Sequence, residues 1–264
     1  MLGDLALDVV IQPSRALETG TDVPGRVTFV QGGSAATTAR WLGRLGVRST
    51  LITAVGRDAT GRALVDAVRG DGVTVRASRV AGVRTARIGV LVAPDGERSF
   101  VPDRGAADRL APADLRAAWF EGSQALHLPA YSLLGEPLGA AGARAIELAR
   151  GAGAILSLDL ASVAPLLAAG RRAANELIAS AAPDILFATA TEMEALLAGA
   201  PAERLLDVAG IVVIKRGPKG ARVLARAGAE RLRFDVATAP IEAVDSTGAG
   251  DAFDAGFLVG WFAA

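Results

Sequence analysis

Six residues near the end of the chain, Ser246-Thr247-Gly248-Ala249-Gly250-Asp251, set small residues directly ahead of a carboxylate, and an apolar run follows to Trp261. Small residues let a backbone turn tightly into a helix. The N–H groups of Gly248, Ala249 and Gly250, backed by the positive end of the helix dipole, then form an anion hole suited to phosphate. In the first turn of that helix, Asp251 lies beside the same anion and can take a proton from an attacking hydroxyl. The same letters also allow a plainer reading, in which the glycines only make the turn and Asp251 complements the dipole. A second carboxylate, Asp8, interrupts the apolar stretch Leu5 to Ile11; once buried it needs either a neighbouring loop to cap or a ligand to hold. Gly32-Gly33 opens a further helical pattern, and the missing Cβ atoms would admit a substrate to the backbone.

Other reactive side chains are few. The only two lysines, Lys215 and Lys219, both fall in Lys215-Arg216-Gly217-Pro218-Lys219-Gly220. A compact ammonium at a strand end can meet a phosphate, although a surface turn also attracts lysine for solubility. The single histidine, His127, lies in the apolar run Ala125 to Leu128 and reads as structural, satisfied by backbone groups. Cysteine is absent, which excludes disulfides, thiolate zinc sites and a cysteine nucleophile.

The elements that must carry these residues follow from periodicity. Leu5 to Ile11 and Arg26 to Gln31 read as strands, and after Gly32-Gly33-Ser34 the stretch Ala35 to Leu45 reads as a helix closed by Gly46. Ser49 to Val55 is a strand and Ala59 to Arg69 a helix. Arg87 to Ala93 and Glu97 to Val101 form a hairpin around Pro94-Asp95-Gly96 at a sheet edge. Strands at 125–128, 154–158, 185–188 and 211–214 alternate with helices near 137–150 and 171–181, the rhythm of parallel strands with crossover helices. Ala221 to Leu224 and Arg231 to Phe234 suggest an antiparallel finish, ahead of a last helix from Gly248 to Trp261. With 264 residues, 51% hydrophobic and 21% charged, the chain can bury a sizeable α/β core, and 28 basic against 28 acidic residues give no global field for a nucleic acid. No stretch reaches the roughly 18 apolar residues of a membrane span. The start carries Asp4 and Asp8 with no basic region, so a cytoplasmic protein is expected.

Four ordered segments resemble the PfkB carbohydrate kinase family, also called ribokinase-like. Asp245 to Phe253 is similar to its signature D-T-x-G-A-G-D-x-F, with Ser246 the small variation. Gly32-Gly33 through Gly46 has the form of its double-glycine helix start. Val55-Gly56-Arg57-Asp58-Ala59-Thr60-Gly61 looks like V-G-x-D-x-x-G, and Lys215 to Gly220 like K-x-G-x-x-G. The resemblance implies a single three-layer α/β sandwich over residues 1–264, with a central mostly parallel sheet and a small β lid from strands within about 12–31 and 84–103. It also implies phosphoryl transfer from ATP to a hydroxyl of a sugar or similar polyol. Asp251 would be the base, Gly248, Ala249 and Gly250 the anion hole, and Asp8, Gly32, Gly33 and Thr37 the substrate contacts. Lys215, Gly217, Gly220 and Thr247 would lie on the nucleotide side, and Glu192 near Mg2+. The resemblance leaves room for a monovalent cation such as K+ and for a homodimer formed through the lid.

Three departures accompany it. Thr37 stands where family members commonly carry a substrate-contacting asparagine, which leaves the sugar open. Thr189 replaces the asparagine of the metal-side N-x-x-E, here Thr189-Ala190-Thr191-Glu192; the bland alternative for Glu192 is a solvated helix face shared with Glu194. If Ala264 is the natural end, the adenine pocket lacks a wall and ATP is expected to bind weakly; a gene fragment reads the same way. Neither a P-loop nor a G-x-G-x-x-G dinucleotide fingerprint is present. A nucleoside kinase of the same fold, or a non-catalytic sugar- or nucleotide-binding relative, are the competing readings.

Overall fold

The computed structural model describes residues 1–93, 96–228, 230–239 and 246–263. Pro94 and Asp95 of the expected hairpin turn, and Asp245 of the C-terminal signature, lie outside the described residues. Two compact units form, Gly3–Leu110 and Met1–Leu2 with Ala111–Ala264.

In the unit Gly3–Leu110, strands β1 (Ala6–Pro13), β2 (Gly25–Gly32), β5 (Ala86–Val92) and β6 (Arg98–Asp103) form one sheet in the order β2-β1-β5-β6. Its β1–β5 pair is parallel and its outer pairs antiparallel. Helix α1 (Ser34–Arg44) buries Ala35, Ala36, Ala39 and Leu42, the spacing of one helical face. Strand β3 (Thr50–Gly56), helix α2 (Ala59–Gly70) and strand β4 (Thr74–Val80) make a parallel crossover, with β3 paired to β4. Periodicity does not signal β4. Of its seven residues only Val75 is fully buried, and Arg76 and Arg79 interrupt the apolar pattern.

The segment Val55 to Gly61 is a structural knot. The Asp58 carboxylate caps α2 by accepting from the Gly61 N–H at 2.7 Å, and it accepts from the Thr85 N–H at 2.8 Å and hydroxyl at 2.6 Å. The glycines exist to let this happen: a Cβ on Gly56 would stand 2.6 Å from the Val83 carbonyl oxygen, and one on Gly61 would stand 2.6 Å from the Thr85 hydroxyl. Burial pushes the Asp58 carboxyl up, but the bonds from Thr85 and Gly61 outweigh it and hold the group below its ordinary value.

The second unit is built on a six-stranded sheet in the order β12-β11-β10-β9-β8-β7. Its strands are β7 (Ala125–Pro129), β8 (Ile155–Asp159), β9 (Ile185–Thr189), β10 (Ile211–Lys215), β11 (Ala221–Ala227) and β12 (Glu230–Val236). β7 to β10 run parallel and β11 and β12 antiparallel, the expected finish. Its helices are α3 (Leu138–Gly151), α4 (Val163–Leu167), α5 (Arg171–Ala181), α6 (Ala190–Leu197) and α7 (Ala249–Ala263). Consecutive residues of the central strands, Ile185 to Ala188 and Val212 to Ile214, are all buried, so both faces of the sheet are covered, the condition a parallel sheet requires. Phe257 and Leu258 of α7 pack on Ile185, Phe187 and Val213. No helix among the described residues is long and apolar enough to cross a membrane.

Replacing Asp58 with alanine removes a helix cap and orphans the Thr85 amide, and we expect a loss of about 1–3 kcal/mol in denaturant unfolding. Because the carboxyl is held low in the folded chain, its contribution is present at neutral pH and disappears as pH falls through that lowered value. Asp58→Ala and the parent chain should therefore converge in stability in acid.

Candidate active site

In the second unit, the polar residues gather at the carboxyl ends of β8, β9 and β10 and at the start of α7, where open α/β sheets place their ligands. Gly248, with φ of 71°, turns the chain into α7. The Ala252 N–H donates to the Gly248 carbonyl at 2.9 Å, so the amides of residues 249–251 lie in the first turn of α7. One expected donor is already engaged. The Ala249 N–H donates to the Ser246 carbonyl at 3.1 Å, because the tight turn brings that oxygen under it. Asp251 is half-buried in the same turn, and Thr247 is exposed just before it.

Beneath this turn lies a buried ion cluster. Lys215, at the end of β10, places its ammonium 3.0 Å from Asp159 at the end of β8 and 3.1 Å from both carboxylate oxygens of Asp254 in α7. The three side chains are 10%, 5% and 0% exposed. Burial opposes the charge on Lys215, but Asp159 and Asp254 overcome it and hold the ammonium above its ordinary range. Burial, with the charge of Asp159, pushes Asp254 well above the usual carboxylate value against the pull of Lys215. Asp159 and Asp254 are not singled out by the sequence motifs. The signals available were a carboxylate ending the apolar strand Ile155–Asp159 and an aspartate three residues after Asp251, on the same face of the helix. His127 is buried on the neighbouring strand, its Nδ1 2.9 Å from the Ser157 hydroxyl, so a side chain partners it where backbone groups were expected. Burial depresses its pKa to about 3, and the ring is neutral.

Glu192 occupies a third role that neither sequence reading anticipated. Its carboxylate accepts from the Thr189 N–H at 2.7 Å while the Thr189 hydroxyl accepts from the Glu192 N–H at 3.2 Å, a reciprocal cap at the start of α6. The signal was legible as T-x-x-E ahead of a helix. Burial raises the Glu192 pKa despite these bonds. Gly217 and Gly220 both take positive φ in the turn that follows Lys215, closed by the Arg216 N–H bonding to the Gly220 carbonyl at 2.8 Å; Lys219 is exposed at its tip.

In the unit Gly3–Leu110, Asp8 sits on β1, 6% exposed, with one carboxylate oxygen buried and without a hydrogen-bond partner. Its register partner toward β2 is Val30, and Gly32 lies directly against it: a Cβ at Gly32 would stand 2.0 Å from Asp8 Oδ1. Burial, with the nearby charge of Asp4, raises Asp8 to about 6. Gly33 precedes α1 at φ of 95°, and the half-buried Thr37 donates its N–H to the Gly33 carbonyl at 2.9 Å. Gly32, Gly33, Thr37 and Asp8 are thus brought together at one strand-to-helix junction. Gly32→Ala should displace the Asp8 carboxylate and lower the thermal midpoint, whereas Gly46→Ala, at a site with open space, should cost only backbone strain; differential scanning of the two variants checks the contrast.

Parallel strand ends facing a glycine turn that opens a helix set backbone amides where a phosphate can sit. The chain matches the pfkB family carbohydrate kinase description over residues 1–264 and belongs to that family. It is therefore a carbohydrate kinase, a phosphotransferase with an alcohol acceptor. It is 31% identical to fructokinase-1 of Oryza sativa subsp. japonica, over 95% of this chain and 79% of that one. In structure it is similar to adenosine kinase from Sinorhizobium meliloti, with a TM-score of 0.86, 25% identity, and 100% and 86% of the two chains covered. It also shares its fold with a putative ribokinase II from E. coli solved with ATP and Mg2+, with a TM-score of 0.84, 22% identity, and 97% and 83% covered. The fold is that of the ribokinase-like sugar kinases.

Proposed function

We propose that the chain transfers the γ-phosphoryl group of ATP to a hydroxyl of a sugar, with a free ketohexose such as fructose the first acceptor to test. The rice relative's name supports that choice, and the name of the Sinorhizobium neighbour keeps a nucleoside as the second. The observation that carries the reading is the placement, within one helical turn, of the Asp251 carboxylate beside the backbone amides at the start of α7. In this reading Asp251 takes the proton from the acceptor hydroxyl as the oxygen attacks, and the amides of Gly248 and Gly250 stabilise charge on the migrating group. Ala249 contributes through its place in the turn, and Thr247 with the Gly217 and Gly220 turn lies on the nucleotide side. Asp8 holds acceptor hydroxyls through the oxygen that lacks a partner, with Gly32, Gly33 and Thr37 shaping its surroundings.

Among the described residues, no group of three or more histidines, cysteines or carboxylates is placed to hold a metal. In this reading Mg2+ arrives with the nucleotide, held by phosphates and water, with Glu192 reaching it through a water molecule. When bound, the ion would neutralise phosphate charge. ATP as donor implies the cytoplasm as the setting. The four-stranded sheet is the proposed lid over the sugar. One of its faces presents the exposed Val27, Phe29 and Val101, which supports pairing of two lids in a homodimer.

In a coupled assay for ADP across a panel of sugars and nucleosides, Asp251→Asn should lose about 10²–10⁴-fold in kcat. Binding of a sugar with no turnover in the parent chain would instead favour a non-catalytic relative. Asp8 is protonated below about 6 in the folded chain, and a protonated carboxyl accepts hydroxyls poorly. The KM for sugar should therefore rise as pH falls through about 6, and this dependence should vanish in Asp8→Asn.

A further inference from the structure

Lys215 joins three elements at the point where the proposed chemistry occurs. Its ammonium leaves the end of β10, bonds Asp159 of β8, and grips both oxygens of Asp254, three residues beyond Asp251 on α7. It also lies against the helix start: a Cβ on Gly250 would stand 3.3 Å from the Lys215 Nζ, and the missing side chain there is what lets a cation approach the first turn. One consequence follows. The bonds to Asp254 fix the rotation of α7 about its axis, and with it the direction of the first-turn amides and of the Asp251 carboxylate.

We propose that Lys215 is a positioning residue for phosphoryl transfer, acting through its grip on Asp254 and its approach to Gly250 to aim the first turn of α7 and Asp251 at the migrating group. This rests on the reading of Asp251 as base. A lysine that instead met the nucleotide directly would show its loss in the KM for ATP. A lysine serving only to neutralise buried carboxylates would show it in stability alone.

Four variants separate these cases, each measured for kcat, for both KM values and for thermal midpoint. Lys215→Met is expected to lower kcat about 100-fold, the scale of losing one oriented donor or a small misplacement at the reacting centre, with each KM changed less than about threefold. The Lys215→Met/Asp159→Asn double variant removes the cation together with one carboxylate and leaves Asp254, which burial already holds well above the usual carboxylate value, as a neutral carboxyl, so its midpoint should return toward the parent value while kcat stays low. Asp159→Asn alone keeps the Lys215 to Asp254 grip and should keep most of kcat. A double variant that regains kcat along with stability overturns the proposal. So does a loss confined to the KM for ATP, or a kcat in Asp159→Asn as low as in Lys215→Met. Asp251→Asn, run beside them, isolates the base: turnover surviving there overturns that assignment whatever Lys215 does. Turnover lost there and kept in Lys215→Met overturns the positioning role alone.

Discussion

The ion cluster of Lys215, Asp159 and Asp254 is the constraint on which the second unit's chemistry depends. A parallel sheet sets its strand ends at a common edge, but it does not by itself fix the rotation of a helix packed across one face. Apolar contacts such as Phe257 and Leu258 against Phe187 and Val213 hold α7 to the sheet without specifying its azimuth. A buried lysine with two carboxylates is directional, and a misplaced partner would leave an uncompensated charge out of water. The helix therefore has one acceptable seat.

The two glycine-acid motifs of the unit Gly3–Leu110 use the same device for opposite ends. At Val55 to Gly61, glycines clear space so that Asp58 can satisfy three donors, and its carboxylate is fully employed in holding the fold. At Asp8, Gly32 clears space and one oxygen is left without a bond. The energetic signs differ accordingly. Asp58 is easier to ionise in the folded chain than in the unfolded one, while Asp8 is harder, so the ionised form of Asp8 costs stability as pH rises between about 4 and 6. A residue kept for ligand binding commonly carries such a cost.

Much of this was legible in the sequence. The alternation of apolar strands and helices from residue 125 onward gave the parallel sheet, and the two short strand patterns after it gave the antiparallel finish at β11 and β12. The turn into α7, with Asp251 in its first turn, could be read because small residues let a backbone turn tightly into a helix. What escaped was what depends on long-range register. Asp159 and Asp254 are separated by 95 positions and meet only when β8 and α7 are both in place. Strand β4 escaped because its pairing with β3, and not its own pattern, makes it a strand. The Thr189 and Glu192 cap is written locally, as T-x-x-E ahead of a helix, in the same letters that carry the metal-side resemblance.

That cap bears on how such a chain can vary over time. Threonine and asparagine both serve well as the residue before a helix, so position 189 can pass between a hydroxyl and an amide by small steps while α6 stays formed. The backbone is indifferent to the exchange, and only whatever lies beyond the helix start registers it. A change on the side proposed for the metal can therefore be made there without a toll on folding.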